Sequence, residues 1–124
     1  MLTNRTVAVL AMPGVQLLDV SGPLDVFAEA NVQAGYDAYR LLTLAIEPGP
    51  IVSSSGARLV PDSIIGATDI EIDTLLIAGA PGIAERRLSP RLVAQVADAA
   101  TKARRCGSVC TGAFVLAATG LLDG

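Results

Sequence analysis

Three apolar runs of strand length recur along the chain, and segments with helical spacing separate them. The runs are Thr6–Met12, Tyr39–Ile46 and Asp73–Ala78. Because they show little alternation of polar and apolar residues, they indicate strands that are covered on both faces, as in a parallel sheet. Apolar stripes at helical spacing lie within residues 24–32 and 92–100. Strands that alternate with helices predict an α/β fold with a doubly wound, mostly parallel sheet.

Two helix starts carry specific signals. Ser21-Gly22-Pro23 predicts that the first helix opens with Ser21 as its N-cap and Pro23 in its first turn, and that it ends near Gly35. Ser89-Pro90 predicts a second helix start of the same kind. Both helices would follow apolar strands, as the α/β pattern requires.

The segments between the second and third runs carry weaker signals. Ile51–Val52 and Arg58–Val60 flank the polar turn Ser53–Gly56 and predict a small hairpin. Pro61–Ile70 is interpreted as a short helical turn.

The segment Arg105–Phe114 predicts a short strand that turns directly into a helix at Cys110. Ser108 and Gly112 flank Cys110, and a sharp strand-to-helix turn needs small neighbours because bulkier side chains would collide across it. This is the logic of a nucleophile elbow with Cys in place of Ser. A helix from about Thr111 to Ala118 would favour the thiolate at its N-terminus. The alternative interpretation is a small, buried cysteine in a tight turn.

Composition limits the class of protein. The chain has 124 residues, of which 52% are hydrophobic, with a formal net charge of −3 and no histidine. It can build a core, it lacks a basic patch for nucleic acid, and it has no apolar run long enough to cross a bilayer. A signal peptide is not apparent, so we expect a cytoplasmic protein.

The two cysteines do not predict a disulfide or a metal site. Four residues of strand would place Cys106 and Cys110 about 13 Å apart, beyond the reach of a disulfide. Without histidine or a ligand cluster, no zinc site is expected, and without a glycine-rich phosphate motif, no nucleotide cofactor is expected. Cys106 is interpreted as structural.

Three loops would meet at the carboxyl edge of a parallel sheet, where sites of α/β folds form. They contain Asp19, the segment Gly79–Gly82, and Cys110-Thr111. The backbone N–H groups of Thr111 and of Gly79 or Ala80 are candidate oxyanion donors. Asp19 is a candidate proton donor beside the cysteine. The alternative for Asp19 is a capping role at a helix start, and for Gly79–Gly82 an ordinary loop.

Together these segments resemble the ThiJ/PfpI superfamily, which is related to class I glutamine amidotransferases. Two branches are most similar: the sensor-like N-terminal domain of AraC-type transcriptional regulators, and isocyanide hydratase. The resemblance covers nearly the whole chain. The matching stretches are Met12–Phe27, Ser53–Gly56, Leu75–Gly82, Ala103–Phe114 and Leu121–Gly124.

The resemblance implies a flavodoxin-like fold, a reactive cysteine at Cys110 with an acidic partner at Asp19, an oxyanion site near Ala80 and Thr111, and a homodimer. The family often has Gly-Gly where this chain has Gly79-Ala80. The family domain also continues beyond the equivalent of Gly124, and only about four main strands are evident. We therefore expect residues 1–124 to be the N-terminal part of a longer domain, without a DNA-binding domain of its own.

Three functions follow as hypotheses. The first is a ligand- or redox-sensing domain of an AraC-family transcriptional regulator, which would bind a small molecule and reach DNA only through another domain. The second is an enzyme similar to isocyanide hydratase, in which Cys110 attacks the isocyanide carbon and Asp19 transfers protons. The third is a non-catalytic protein whose Cys110 is oxidised to a sulfinate. We favour the first.

Overall fold

A five-stranded parallel sheet forms the centre of the computed structural model, which describes residues 4–67 and 69–123. The strand order is β5-β2-β1-β6-β7, and β3 and β4 form a separate antiparallel hairpin. Gly124, which closes the stretch from Leu121, lies outside the described residues. The strands are β1 (Arg5–Leu10), β2 (Tyr39–Ala45), β3 (Ile51–Val52), β4 (Arg58–Leu59), β5 (Ser63–Ile64), β6 (Thr74–Ile77) and β7 (Arg105–Ser108).

Three helices cover the two faces of this sheet: α1 (Leu18–Ala34), α2 (Pro90–Lys102) and α3 (Ala113–Ala118). Alternate side chains of β1 point to opposite faces of the sheet. Leu10 packs with α2 and α3, whereas Val9 packs with α1 and the hairpin. Both side chains have no solvent-exposed surface, so the apolar run of β1 is the doubly covered central strand that its pattern predicts. The flavodoxin-like, doubly wound architecture is confirmed.

Helix α1 begins four residues before the predicted start. Its first residue is Leu18, and Ser21 N–H already donates to the Leu17 carbonyl at 3.0 Å. Pro23 therefore lies inside the helix, where it cannot donate to the carbonyl of Asp19 four residues earlier. The earlier start is explained by the burial of Val20 against Val9 of β1, which favours a helical backbone ahead of the Ser-Gly-Pro signal. As a consequence, Asp19 lies in the first turn of a helix rather than in a loop.

Helix α2 begins as predicted. The Ser89 hydroxyl accepts the N–H of Leu92 at 3.1 Å, and Pro90 is the first helical residue. Leu92, Val96 and Ala100 bury the apolar stripe of the helix against the sheet. This helix connects β6 to β7 along the chain and packs on the same face of the sheet as Leu10.

The middle of the chain gives one confirmed and one wrong prediction. The hairpin β3–β4 pairs Ile51 with Leu59 as expected. The segment 61–70 is not a helical turn: Ser63 and Ile64 form strand β5, which pairs in parallel with the end of β2. Ile65 is buried in the core directly after β5, which explains why an extended segment is favoured there.

Among the described residues, no helix combines the length and apolar character needed to span a membrane.

Candidate functional site

The ends of β1, β6 and β7 lie level at one edge of the sheet. Leu10 is in register with Ile77, and Ile77 with Ser108. The ladder continues one residue further, because Ala78 N–H donates to the Leu10 carbonyl and Val109 N–H to that of Ile77. The three loops that the sequence predicts to meet at this edge therefore start from the same level.

Cys110 occupies a strained turn between strand and helix. Its φ of +52° is the left-handed conformation, and Cys110 is the only non-glycine residue with positive φ among those the structure describes. A side chain with a Cβ pays a steric cost there, and such outliers concentrate at functional sites. The cysteine is exposed and its thiol is free. The interpretation of Cys110 as a buried turn residue is therefore wrong.

Gly112 makes the sharp turn sterically feasible. A Cβ on Gly112 would overlap the carbonyl oxygen of Ile77 and lie 2.8 Å from its carbonyl carbon. The start of α3 can therefore pass directly over the end of β6 only with glycine at this position. Ser108, by contrast, is exposed on β7, so crowding does not explain the small side chain there.

The helix behind Cys110 is shorter than predicted. A 3-10 turn covers Cys110–Gly112, and α3 contains only six residues from Ala113. A short helix with a 3-10 start has a weak dipole at its N-terminus. The strained, exposed backbone position therefore distinguishes Cys110 more clearly than helix electrostatics do.

Asp19 is bound to the loop that follows β6. Its Oδ2 accepts the N–H of Gly79 at 3.1 Å, and the Gly79 carbonyl accepts the N–H of Gln16 at 2.8 Å. Residue 79 is thus held on both sides by the segment that leads into α1. A Cβ on Gly79 would lie 2.8 Å from Asp19 Oδ2 and 2.5 Å from Thr111 Oγ1, so Asp19 and Thr111 converge on the α-carbon of this glycine.

Thr111 pairs with the backbone of Ala80. Its Oγ1 lies 3.1 Å from Ala80 N, which donates to it, and 3.3 Å from the Ala80 carbonyl oxygen, to which the hydroxyl donates. The N–H groups of Gly79 and Ala80 are therefore both occupied, the first by a carboxylate and the second by a hydroxyl. The N–H of Thr111 lies on the same side of the loop, 3.0 Å from the position that a Gly79 Cβ would take.

Sequence reasoning brought Asp19, Ala80 and Thr111 to one place but missed how they interact. It treated Thr111 only as a backbone donor, whereas its side chain contacts Ala80. It also left out Arg86, whose guanidinium donates to the Pro13 carbonyl at 2.7 Å and joins two of the three loops. A long-range hydrogen bond to a backbone carbonyl leaves no periodic or spacing signal in the sequence.

Cys106 differs from Cys110 in its surroundings. It is the second residue of β7. Both cysteines are exposed to solvent, but neighbouring atoms partly desolvate the Cys106 thiol and raise its pKa. A raised pKa lowers the thiolate fraction near neutral pH, and the thiolate is the reactive form. The two cysteines therefore offer an internal comparison of reactivity.

A cavity of about 800 Å³ lies away from these loops. It opens between the segment around Ile70 and helix α2 and has a mixed charged rim. No residue of the three loops lines it. We place the candidate site at the loops because Asp19 and Thr111 converge on Gly79 there and the strained Cys110 directly precedes Thr111.

Comparison with known proteins identifies the family of this chain. The sequence model of the DJ-1/PfpI family matches residues 5–124. An uncharacterized protein in the cpoL 5′ region of Streptomyces lividans is 43% identical over 95% of this chain and 82% of its own length. The HTH-type transcriptional regulator GbdR of Pseudomonas aeruginosa is 30% identical over 97% of this chain, and isonitrile hydratase of Pseudomonas putida is 31% identical over 93%.

The length comparison is equally informative. The chain spans 32% of GbdR and 47% of isonitrile hydratase. Among solved structures, an AraC family transcriptional regulator from Pseudomonas putida superimposes with a TM-score of 0.78 at 21% identity, covering 96% of this chain and 72% of that one. That likeness concerns the fold.

Proposed function

The chain belongs to the DJ-1/PfpI family, and on that premise we propose that it is a ligand- or redox-sensing domain of an AraC-family transcriptional regulator, with Cys110 as the sensing residue. Similarity to GbdR supports the regulator, since it extends over nearly the whole of this chain at 30% identity. The net charge of −3 agrees with DNA contact through a different domain.

The proposal rests on one observation: the backbone N–H groups of the loop after β6 already donate hydrogen bonds within the protein. Catalysis of acyl-transfer type needs N–H donors aimed at a developing oxyanion. Here the N–H of Ala80 is paired with Thr111 and that of Gly79 with Asp19. An exposed cysteine beside a loop whose Gly79 and Ala80 donors are already paired is suited to modification or ligand binding more than to turnover, and a fold can keep such a site without the activity.

The redox form of the proposal is a defined reaction. The Cys110 thiolate attacks one oxygen of a hydroperoxide, the O–O bond breaks, and the alkoxide leaves as an alcohol after taking a proton from water or from a nearby acid such as Asp19. Sulfur becomes a sulfenic acid, and a further equivalent of peroxide gives the sulfinate. The regulator would respond to the resulting change in the charge and size of the Cys110 side chain at the edge of the sheet.

The test uses the two cysteines of the chain against each other. Mild peroxide followed by mass spectrometry should show oxygen addition at Cys110 before Cys106, because a raised pKa keeps Cys106 largely protonated. The variants Cys106→Ala and Cys110→Ala are the matched pair. Equal modification of both cysteines in the wild-type chain would contradict the proposal.

The regulator assignment has its own tests. A pair of helix-turn-helix motifs in the same polypeptide supports the assignment. A reading frame that ends soon after the DJ-1/PfpI domain is complete would contradict it. As parts of the same proposal, the protein is a cytoplasmic homodimer. Analytical ultracentrifugation of the full polypeptide measures the dimer.

A second candidate is an enzyme similar to isonitrile hydratase, which the likeness to the Pseudomonas putida protein favours. The Cys110 thiolate would add to the isocyanide carbon while Asp19 supplies the proton that this carbon takes up. Water would then add to the thioimidate, and loss of the thiolate would release the N-formamide while the hydroxyl proton of the adduct returns to Asp19. The reaction consumes one isocyanide and one water and leaves the enzyme unchanged.

Incubation with an aryl isocyanide separates the two candidates. Formamide production that disappears in Cys110→Ala and persists in Cys106→Ala supports the enzyme. Absence of turnover, together with preferential oxidation of Cys110, supports the sensor.

A further inference from the structure

A tight turn follows β1 and leads to the segment that carries Asp19. Val15 N–H donates to the Met12 carbonyl at 3.0 Å, and Gly14 has a φ of +84°. Proline at the second position of a turn and a glycine with positive φ at the third are the signature of a type II turn. The peptide between Pro13 and Gly14 is therefore the central peptide of this turn.

Both ends of that peptide are held by other elements. Arg86 Nη1 donates to the Pro13 carbonyl at 2.7 Å, and Gly14 N–H donates to the Val52 carbonyl of the hairpin at 2.8 Å. The other terminal nitrogen of Arg86, Nη2, lies 3.0 Å from the position of a Cβ on Gly14. The guanidinium thus lies against the turn as well as bonding to it.

Arg86 has a fixed starting point for this contact. It ends the 3-10 turn Ile83–Glu85, and its backbone N–H donates to the Ile83 carbonyl at 3.1 Å. Ile83 is buried in the core. The side chain therefore extends from a packed element to the turn after β1.

The turn is connected to Asp19 by backbone hydrogen bonds. Gln16, two residues after Gly14, donates to the Gly79 carbonyl, and Asp19 N–H donates to the Gln16 carbonyl at 3.0 Å. The Asp19 carboxylate then accepts the N–H of the same Gly79. A change in the orientation of the turn would therefore shift the segment that places the Asp19 carboxylate beside the loop after β6.

We propose that Arg86 is a positioning residue that locks the Pro13–Gly14 peptide in its type II orientation and thereby holds Asp19 at the candidate site. The role of Asp19 beside Cys110 rests on the proposed function, whereas the effect of Arg86 on the turn is independent of it. Without the guanidinium, the central peptide is free to rotate toward the type I orientation, which reverses its C=O and N–H. That rotation breaks the bond from Gly14 to Val52.

The experiment compares the whole chain as wild type, Arg86→Gln, Arg86→Lys and Arg87→Gln. Arg87 is the adjacent exposed arginine, so its variant loses the same charge without touching the turn. The first readout is amide hydrogen exchange of Gly14 and Gly79 by NMR. The second is the rate of Cys110 alkylation by iodoacetamide.

Arg86→Gln should speed exchange at Gly14 on the order of tenfold, the size of one lost charge-assisted hydrogen bond, and exchange at Gly79 should rise with it. Arg86→Lys keeps a cationic donor and should recover part of the protection, whereas Arg87→Gln should match wild type. The alkylation rate of Cys110 should change most in Arg86→Gln, less in Arg86→Lys and not in Arg87→Gln.

The outcomes separate the lock from the proposed function. Unchanged exchange at Gly14 and Gly79 in Arg86→Gln overturns the lock. Faster exchange with an unchanged rate at Cys110 overturns the link to the site. If Cys110 of the wild type reacts no faster than Cys106, the proposed sensor fails, and the exchange data still decide the role of Arg86.

Discussion

The carboxylate of Asp19 accepts the backbone N–H of Gly79 at 3.1 Å, across 60 residues of sequence. This bond joins the first turn of α1 to the loop after β6 and puts a carboxylate beside the residue that follows Cys110. It also occupies a donor that an oxyanion would otherwise use. The same contact therefore assembles the site and satisfies part of its hydrogen-bonding capacity.

Gly112→Ala should lower the free energy of unfolding by at least about 3 kcal/mol, at or beyond the upper end for an overpacked core. The new Cβ would meet the backbone of Ile77, which cannot move without distorting β6. Urea unfolding followed by circular dichroism measures the change. Gly107→Ala is the control in the same segment, since its Cβ would make an ordinary 3.5 Å contact with Leu76. A loss of equal size in both variants would contradict the steric argument.

Ser89→Ala should cost about 1 kcal/mol of unfolding free energy, because it removes the side-chain cap of α2. Ser21→Ala should cost less, since Ser21 lies inside α1 and has no helix start to cap. The same urea titrations compare the two variants. Equal losses would indicate that Ser21 does act as a cap, as the sequence signal suggests.

The fold was largely predictable because apolar runs specify buried strands directly. Thr6–Met12 and Asp73–Ala78 give the central strands β1 and β6, and Ser89-Pro90 gives the start of α2. The start of α1 was not predictable from its capping signal, because the burial of Val20 extended the helix past that signal. Strand β5 was missed because two residues carry no periodicity.

For the candidate site, the sequence indicated which residues meet but not how they bond. Parallel topology alone brings the loops with Asp19, Ala80 and Thr111 to one edge. The pairing of the Thr111 hydroxyl with Ala80 and of Arg86 with Pro13 depends on side-chain direction. Direction follows from backbone geometry within each loop, which no spacing rule encodes.

Acid should weaken the junction between β6 and β7. A bidentate contact from Arg104 to Asp73, with a further hydrogen bond from Thr74, lowers the pKa of Asp73 from 3.8 to about 2. Because the folded pKa is depressed, the stabilisation is present above about pH 4 and is lost as the pH falls from about 4 to about 2. The difference in unfolding free energy between wild type and Asp73→Asn should therefore shrink over this range.

Urea titrations from pH 3 to pH 6 measure that difference. Asp98→Asn provides the control, because the Asp98–Lys102 pair is an exposed i,i+4 contact, which is worth only about 0.3–0.5 kcal/mol. A difference between wild type and Asp73→Asn that stays constant down to pH 3 would contradict the depressed pKa.

Thr111→Val should destabilise the protein by about 2 kcal/mol, and Thr111→Ser should be close to wild type. Valine has the shape of threonine but leaves the N–H of Ala80 unpaired, and Ala80 is only 2% exposed. The Ala80 carbonyl keeps the N–H of Ile83 as a donor. Unpaired buried polar groups cost about 1–3 kcal/mol each. Serine keeps the hydroxyl and loses only a methyl group. Unfolding in urea measures the stabilities, and the Ala80 amide resonance reports whether its donor has been released. Equal stability of the valine and serine variants would show that the Thr111 hydroxyl does not pair with the Ala80 N–H. The main argument for a sensor rather than an enzyme would then fail.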